Sequence, residues 1–330
     1  MKLSILYGCD DHYAPYTGIS LTSLLENNRD IDDLTIYLAA MNVRNENLQK
    51  FQEITALYGR KLIVLDTEKA QAEMYSYNCN GWNGSLATWL RFFVLDQIPT
   101  DENRLLWLDS DTLVQKSLRN IATLPMGDCP IAAVCDSLSY FFRFKLGLGY
   151  ADPYFNAGVI LFNLPIWRES NLLDGMMDHL KHNISRYALN DQDLLNDYFR
   201  GRILKLSPEY NAQGFLAAYS LSDYYKVFPW IESAYYSQQD IAHAIQEPTV
   251  VHFFRFLGDY PWTAGKNYHP YKTLYKSWHD RSLWKDSPQT AARTDFSFCI
   301  EKVLYRLLPR KVFLTIFRTC INREMPKKPL

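Results

Sequence analysis

The stretch LLWLDSDTLV, residues 105–114, indicates the fold class because it joins a buried strand to two carboxylates. Four apolar residues run directly into Asp109 and Asp111, and the chain then turns apolar again. On an extended strand the side chains at i and i+2 share a face, so Asp109 and Asp111 should project together. A hard divalent cation with oxygen ligands is the usual partner of such a pair. The alternative is a strand that ends in a solvated turn, since Asp and Ser are common turn residues.

Segments with strand and helix character alternate around this stretch. Apolar, β-prone runs lie at 3–8, 34–39, 61–65, 105–108, 131–135 and 159–163. Helical patterns lie at 17–25, 45–58 and 86–95, and Ser85 is a candidate cap for the third. This alternation predicts an α/β fold with a mainly parallel sheet that is covered by helices on both faces. Ligands of such sheets bind beyond the carboxyl ends of the strands, which is where CDDHY (9–13), DSD (109–111) and CDS (135–137) fall.

The second half of the chain is less regular. It predicts helices at 172–183, 191–200 and 270–280 and short strands at 203–206 and 249–252. Loops rich in Tyr, Trp and Pro lie at 228–240 and 258–271. Long loops carried on a rigid sheet often shape a binding site.

Charge is distributed unevenly along the 330 residues. The formal net charge is −1, but residues 301–330 carry eight Lys or Arg against two Glu. The basic end alternates with apolar residues and predicts one or two amphipathic helices, broken at Pro309. Such helices commonly lie on anionic membrane surfaces. The alternative is that residues such as Val303, Leu304, Leu307, Phe313, Ile316 and Phe317 pack on the main domain.

Composition restricts the class of protein. A hydrophobic share of 48% is enough for a large core, and an aromatic share of 15% suits a site that stacks against a sugar or a base. Six scattered cysteines without a C-x-x-C pair indicate neither a zinc knuckle nor a disulfide framework, and favour a reducing compartment. We see neither a signal peptide nor a transmembrane segment, so we expect a cytoplasmic protein, peripheral on the inner membrane face at most. The basic residues do not follow a groove, which argues against nucleic-acid binding.

Several short motifs occur in a fixed order: LYGCDDHY (6–13), LATWLRFFV (86–94), DSD (109–111), YFNAGVILFNL (154–164), NDQDLLN (190–196), SPEYN (207–211) and VVHF (250–253). Together they resemble the family 8 glycosyltransferases, the group of the bacterial lipopolysaccharide galactosyl- and glucosyltransferases and glycogenin. The resemblance implies a catalytic domain of the GT-A type at 1–265. It leaves 266–330 as a helical basic extension that contacts an acceptor or a membrane surface.

The activity that the resemblance implies is retaining transfer of galactose or glucose from a UDP-sugar. The acceptor would be a cell-surface glycan such as lipopolysaccharide or another lipid-linked oligosaccharide. The metal would be Mn²⁺, with Mg²⁺ possible, held by Asp109, Asp111 and His252. The chemistry agrees, because a metal bound by carboxylates and imidazole neutralises the diphosphate as UDP leaves.

The resemblance also assigns the donor-binding residues. Asp10 would read the uracil edge, Tyr13 would lie against the base, and His12 would lie near the ribose, where the family often has Asn. Arg91 would contact the sugar and the diphosphate. The hexose would be held by a group of carboxylates and amides: Asp136, Asn156, Asp191 and Gln192.

Two routes to retention stay open from the sequence. The first is a covalent intermediate, for which Asp191 is the better nucleophile on chemical grounds and Gln192 the better placed by resemblance. The second is attack on the same face as the departing UDP. In either route, the resemblance places Asn156 and Gln192 close to the anomeric carbon.

The sequence departs from the family at one motif. Family members usually carry Lys-Pro-Trp about six residues after the metal-binding histidine, whereas this chain has Tyr260-Pro261-Trp262, two residues farther on. Tyrosine has no positive charge for the diphosphate, so Arg255 or Lys266 would have to replace the lysine.

Two other classes compete with this reading. LDSDTLV also suits a haloacid-dehalogenase-like phosphatase, but that class places the motif on its first core strand and needs a later lysine and a further acidic pair. An inactive sugar-nucleotide binder would need an empty catalytic position, and every position that we can match is occupied. Turnover of phosphomonoesters or of UDP-sugars would separate the three.

Overall fold

The computed structural model describes residues 1–82, 84–137, 142–214, 216–227 and 234–322. Residues 228–233 of the predicted aromatic loop and residues 323–330 of the basic extension lie outside the described residues. In the described part of the chain, each helix is too short or too polar to cross a membrane.

The described residues form ten strands. They are β1 Lys2–Asp10, β2 Asp33–Met41, β3 Lys61–Leu65, β4 Arg104–Leu108, β5 Thr112–Val114, β6 Ile131–Cys135, β7 Phe155–Asn163, β8 Ile203–Lys205, β9 Ala212–Gln213 and β10 Val250–His252. Seven of them build the central sheet in the order β3-β2-β1-β4-β7-β6-β8, and β5-β10-β9 form a second, smaller sheet. All six strands predicted in the first half lie in the central sheet, which confirms the predicted α/β fold.

Most pairs in the central sheet are parallel, but β7 is reversed. It runs antiparallel to both of its neighbours, β4 and β6. A parallel neighbour needs a long crossover connection, usually a helix. The described part of the connection from β6 to β7 carries only the short 3₁₀ segment Phe142–Leu146. Strand β7 therefore returns directly beside β6 in the antiparallel direction.

Helices cover the sheet. They are α1 Ala14–Asn27, α2 Asn45–Leu57, α3 Glu68–Ser76, α4 Leu90–Phe93, α5 Arg119–Ala122, α6 Leu164–Glu169, α7 Leu172–Asn183, α8 Asn190–Tyr198, α9 Leu221–Val227, α10 Gln238–Gln246, α11 Lys272–His279, α12 Phe296–Leu307 and α13 Arg310–Asn322. The continuous helix predicted at 86–95 is wrong, because two 3₁₀ turns, Ala87–Trp89 and Leu95–Gln97, flank the single turn of α4. Ser85 does act at its start, since its Oγ accepts a hydrogen bond from the Ala87 N–H at 3.2 Å.

The second sheet brings the C-terminal half of the chain to the end of β4. Strand β10 pairs with β5 so that His252 lies opposite Thr112. The Phe253 N–H donates to the Asp111 carbonyl at 2.9 Å. Residues distant in sequence therefore meet at the acidic turn.

Candidate functional site

A cavity of about 380 Å³ opens at the carboxyl ends of the central strands. It brings together most of the predicted site residues, namely Tyr13, Arg91, Asp109, Asp111, Asp136, Asn156, Asp191, Gln192 and His252. Asp10 and His12 are not among the lining residues. The rule that ligands lie beyond the strand ends thus locates the cavity correctly.

The two acids do not lie on a continuing strand, as the i and i+2 argument assumed. Strand β4 ends at Leu108, and residues 109–111 form the turn that leads into β5. The Ser110 side chain is tied to α1 and β1, because its Oγ accepts from Thr17 Oγ1 at 2.7 Å and donates to the Gly8 carbonyl at 3.4 Å. Both carboxylates nevertheless face His252, so the expected pairing holds for a different local reason.

The His252 imidazole completes a three-residue cluster. Its Nε2 lies 3.2 Å from Asp111 Oδ1 and 3.9 Å from Asp109 Oδ2. One ligand atom from each of the three residues lies within 4.8 Å of the others. Two carboxylates and an imidazole fit a divalent metal such as Mn²⁺.

Asn211 sets the tautomer of His252. The Asn211 Nδ2 donates to Asn156 Oδ1 at 2.8 Å, so its Oδ1 is the atom that faces His252 Nδ1 at 3.0 Å. His252 Nδ1–H must therefore donate, which leaves Nε2 as the ligand atom on the side of the acids.

The charge balance around His252 also favours a cation at this point. Burial lowers the pKa of His252, but Asp111 and Asp109 outweigh it, so the pKa is raised overall. The two carboxylates thus attract a positive charge to the Nε2 side. A metal ion would supply that charge in place of the proton.

Gly158 permits the close approach of β7 to the cluster. A Cβ at this position would lie 2.2 Å from His252 Cε1. The Gly158 carbonyl also accepts from the Asp109 N–H at 2.8 Å. The glycine in NAGVILF therefore has a steric role in the site.

Arg91 is the buried cation of the site. The residue is 1% exposed. Its Nη2 lies 2.9 Å from Asp109 Oδ1, and its Nε lies 3.1 Å from Asp191 Oδ2. The guanidinium packs 4.7 Å from the centre of the Trp107 ring and donates to the Ala157 carbonyl. Arg91 thus links the acidic turn to the start of α8.

Asp191 has a perturbed acidity. Burial raises the pKa of Asp191 to about 6. The positive charge of Arg91 opposes this increase, and the negative charge of Asp109 adds to it. The carboxyl group therefore exchanges its proton much closer to neutral pH than an exposed aspartate does.

An amide network fixes the predicted hexose-binding group. Asn156 Nδ2 donates to Asp136 Oδ2 and to Gln192 Oε1, both at 2.9 Å. Gln192 Nε2 donates to Asp136 Oδ2 at 3.1 Å, and its Oε1 accepts from the Ala157 N–H at 3.0 Å. These side chains are held in defined orientations before any ligand binds.

The residues after β1 are arranged around the start of α1. Asp10 Oδ1 accepts from the Tyr13 N–H at 2.9 Å. The Tyr13 ring lines the cavity, whereas His12 is exposed beside it, with ring centres 5.4 Å apart. Of the three predicted nucleotide contacts, the structure places Tyr13 at the cavity wall.

The loop after His252 supplies the opposite wall. Arg255 and Tyr260 both line the cavity, and the Arg255 guanidinium lies 4.9 Å from the centre of the Tyr260 ring. Lys266, the other candidate for the missing lysine, is exposed, packs over Tyr268 at 5.5 Å and is not a lining residue.

Sequence reasoning did not single out three residues that the structure places at the site. Asn211 orients His252, and it ends the SPEYN motif, which was the available signal. Trp107 Nε1 donates to Asp109 Oδ1 at 2.7 Å, and it stands out as the aromatic residue inside an aliphatic strand. Trp82 is half exposed and lines the cavity, and nothing in its sequence neighbourhood indicated this.

The fold and the cavity define an α/β protein with a metal-competent carboxylate–imidazole cluster at its strand ends. The family model described as glycosyl transferase family 8 matches residues 4–264. The chain therefore belongs to glycosyl transferase family 8, which confirms the predicted family and gives no support to the phosphatase alternative.

Curated relatives cover much of the chain at modest identity. General stress protein A of Bacillus subtilis is 22% identical over 86% of this chain and 94% of its own length. The lipopolysaccharide 1,3-galactosyltransferase of Salmonella typhimurium is 28% identical over 67% of this chain and 66% of its own length. The lipopolysaccharide 1,2-glucosyltransferase of Escherichia coli is 27% identical over 90% of this chain and 83% of its own length.

Solved structures share the fold. The galactosyltransferase LgtC in complex with donor and acceptor sugar analogs superimposes with a TM-score of 0.66 at 20% identity, over 85% of this chain and 96% of that one. The bifunctional glycosyltransferase WbbM, without ligand, gives 0.67 at 19% identity, over 86% of this chain and 50% of that one. The likeness confirms the predicted α/β fold of the GT-A type.

Proposed function

We propose that this protein is a retaining, metal-dependent glycosyltransferase that moves galactose or glucose from a UDP-sugar to a glycan acceptor. The observation that carries the proposal is that Asp109, Asp111 and His252 converge on one cavity that also contains the Asp136, Asn156, Asp191 and Gln192 group. Family membership supplies the reaction class.

The cluster would hold Mn²⁺, with Mg²⁺ as the alternative. Bound there, the metal would neutralise charge on the diphosphate of the donor. Asp111 and His252 Nε2 supply ligand atoms directly, and Asn211 keeps His252 in the tautomer that can bind. Asp109 has a second task, because it also neutralises Arg91.

The donor hexose would lie against the amide network. Asp136, Asn156 and Gln192 offer hydrogen-bond donors and acceptors that suit a neutral hexose. The nearby Arg91 is paired with Asp109 and Asp191, so its charge is balanced within the protein rather than by a carboxylate of the sugar. Same-face attack and a covalent route through Asp191 or Gln192 both stay open. Asp191 pairs with Arg91 Nε through Oδ2, at 3.1 Å, so Oδ1 would be the attacking atom of a covalent route through Asp191.

The nucleoside would lie near Tyr13, which lines the cavity. The assignments of Asp10 to the uracil edge and of His12 to the ribose remain predictions from the family resemblance. Arg255 is the better candidate to replace the missing lysine, because it lines the cavity and Lys266 does not.

The donor is tested by incubating the protein with a panel of UDP-sugars and Mn²⁺ and measuring UDP release. We expect release from UDP-galactose or UDP-glucose, loss of release in EDTA, and recovery when Mn²⁺ is restored. A preference for UDP-glucuronate would contradict the neutral-hexose assignment. Full activity in EDTA would contradict the metal site, and phosphate release from p-nitrophenyl phosphate would instead favour the phosphatase.

The acceptor is proposed to be a growing lipopolysaccharide or another lipid-linked oligosaccharide at the cytoplasmic membrane face. The names of two relatives, a lipopolysaccharide galactosyltransferase and a lipopolysaccharide glucosyltransferase, support this class. We also propose a catalytic domain at 1–265, which is close to the part of the chain that the family model matches, and an acceptor- or membrane-contacting extension at 266–330.

The helices of the extension have one face that packs against the core and one face that is exposed. Leu304, Phe313 and Phe317 pack against the core, as the packing alternative expected. Val303, Leu307 and Ile316 do not, since all three are exposed.

The exposed face of α12 forms an apolar stripe. Its members repeat every three or four residues and range from 41% to 80% exposed: Phe296, Ile300, Val303 and Leu307. Arg306, Arg310 and Lys311 are exposed nearby on α12 and α13. An apolar stripe flanked by cations fits an anionic lipid surface, each cation contributing roughly 1 kcal/mol near it.

Point substitutions test this surface better than deletion of 296–330, which would also remove the packed face. Val303→Glu with Leu307→Glu should weaken sedimentation with phosphatidylglycerol vesicles while UDP release in solution is unchanged. Binding by the unsubstituted protein should decrease with added salt and should be weak to phosphatidylcholine vesicles. Equal vesicle binding by the variant would contradict the proposed surface.

A further inference from the structure

The loop that carries Arg255 and Tyr260 is a two-residue hairpin with an unusual backbone. Phe256 and Asp259 exchange hydrogen bonds at 2.8 and 3.1 Å. The two residues between them, Leu257 and Gly258, have φ of +52° and +80°. This is the geometry of a hairpin turn in which both central residues have positive φ, where Asn or Asp followed by Gly is the usual choice.

Leucine is a costly residue at the first of these positions. A bulky side chain rarely adopts positive φ, and such strain persists only where surrounding contacts impose it. Leu257 is buried, so the contacts that impose its conformation lie in the interior of the protein.

Helix α12 supplies contacts to two residues of the turn, Phe256 and Gly258. A Cβ at Gly258 would lie 2.7 Å from Phe298 Cγ, so the phenyl ring packs directly on the glycine. The Tyr305 ring meets the Phe256 ring edge-on, with centres 5.4 Å apart. These rings cover the outer side of the hairpin.

An ion pair fixes the last residue of the hairpin. Asp259 is 1% exposed, and its Oδ1 accepts from Lys302 Nζ at 2.8 Å. Within the described residues, Asp259 Oδ2 has no hydrogen-bond partner. Lys302 is therefore the cation that compensates a buried carboxylate, and removal of one partner of such a pair leaves an uncompensated charge.

We propose that Lys302 and Phe298 of α12 are positioning residues for donor binding, because they hold the 256–259 hairpin in the conformation that places Arg255 and Tyr260 at the cavity wall. This inference rests on the proposed function and adds a role for the C-terminal extension within it. Without Lys302, moving the Asp259 carboxylate toward water lowers its free energy, and the residues on either side of it move with the hairpin. Arg255 then loses its place opposite the acidic turn.

The test is calorimetric titration of the full-length protein with UDP in the presence of Mn²⁺. The stoichiometry reports the folded fraction, and Kd reports the quality of the site in each folded molecule. Loss of one hydrogen bond to a charged group weakens binding by about tenfold or more. We expect Lys302→Met to raise Kd about tenfold or more with unchanged stoichiometry, and Lys302→Arg to restore tight binding.

Two further variants keep the result interpretable. Phe298→Ala removes packing without leaving a buried charge, so it tests the same role if Lys302→Met does not fold, and it should raise Kd by a smaller factor. Lys276→Met is the matched control, because Lys276 pairs with Asp280 on the exposed surface of α11, and Kd should stay unchanged.

A double-mutant cycle tests the route of the effect. Because part of the effect of Lys302 runs through Arg255, Lys302→Met should raise Kd by a smaller factor in the Arg255→Met background than in the unsubstituted protein, and strictly additive effects would contradict the proposal. An unchanged Kd in both α12 variants, or a lower stoichiometry at unchanged Kd, would also overturn it. Failure of the unsubstituted protein to bind UDP with Mn²⁺ would instead overturn the proposed function itself.

Discussion

The two walls of the cavity are built in different ways. The first wall comes from the ends of β4, β7 and the start of α8. Its side chains are held by hydrogen bonds within the wall: Arg91 donates to Asp109, Asn156 donates to Gln192, and Gln192 donates to Asp136. The second wall is a loop that carries Arg255 and Tyr260, and its conformation depends on contacts with residues 40 or more positions away in the sequence. We therefore expect changes in the first wall to alter chemistry and metal binding, and changes in the second to alter affinity.

The largest expected effect is the loss of UDP release when either acid of the turn is substituted, and the two acids should differ in their effect on stability. Asp111→Asn should abolish metal-dependent UDP release, because a neutral amide is a poor ligand for a hard cation. The fold should survive, since Asp111 is paired in the described structure with His252 rather than with a buried arginine.

Asp109→Asn should lose activity and stability together. It leaves Arg91, a buried guanidinium, without one of its two carboxylate partners, at a cost on the order of 3 kcal/mol. UDP release and urea unfolding of both variants measure the contrast. Equal stability of the two would contradict the role of Asp109 as a structural counter-ion.

A smaller effect on metal affinity is expected at Asn211, which contacts the proposed metal ligand His252. Asn211→Ala removes the acceptor that holds His252 Nδ1, and loss of such a partner typically costs about 10- to 100-fold in metal affinity or activity. Asn211→Asp keeps an acceptor oxygen and should retain more affinity. The measurement is the Mn²⁺ concentration that gives half-maximal UDP release. The prediction fails if Asn211→Ala needs no more Mn²⁺ than the unsubstituted protein.

Sequence patterns predicted the first wall far better than the second. Strands β1, β4 and β6 are apolar runs with polar residues directly after them, and local patterning with a parallel sheet brings those residues to one edge. One prediction on this side is wrong in a local detail, since the acids occupy a turn, and the mainly parallel sheet contains one antiparallel strand, β7. Neither changes which side chains meet.

The second wall could not be read from local patterns. The Phe256–Asp259 turn contains Leu257, which violates the preferences of its turn type, and the contacts on either side of it, Asp259 with Lys302 and Gly258 with Phe298, come from a distant part of the sequence. Asn211 was hidden for a similar reason, since its partner His252 lies 41 residues later in the chain. Contacts of this kind depend on tertiary structure, which overrides local propensity.

The smallest expected effect on turnover concerns His269, which hydrogen-bonds to the backbone of the second wall. This residue is 4% exposed, its Nε2–H donates to the Phe254 carbonyl at 2.8 Å, and its Nδ1 accepts from the Tyr271 N–H at 3.2 Å. Burial lowers the pKa of His269 to about 4, against the opposing effect of its hydrogen bond to Phe254. The imidazole is therefore neutral in the folded protein at pH 7, and it anchors the backbone next to Arg255.

The sign of the pH effect follows from the two pKa values. In the unfolded chain His269 titrates near 6.5, so between about pH 6.5 and pH 4 the unfolded state binds more protons than the folded state. The free energy of unfolding therefore falls as the pH is lowered through this window, by about 2 kcal/mol between pH 8 and pH 5 from this residue. His269→Gln, whose amide can also donate to the Phe254 carbonyl, should lose less stability over the same interval and should release UDP normally at pH 7.5. Urea unfolding at pH 8, 6.5 and 5 gives the difference in slope, and parallel curves for the two proteins would contradict the lowered pKa of His269 in the folded state.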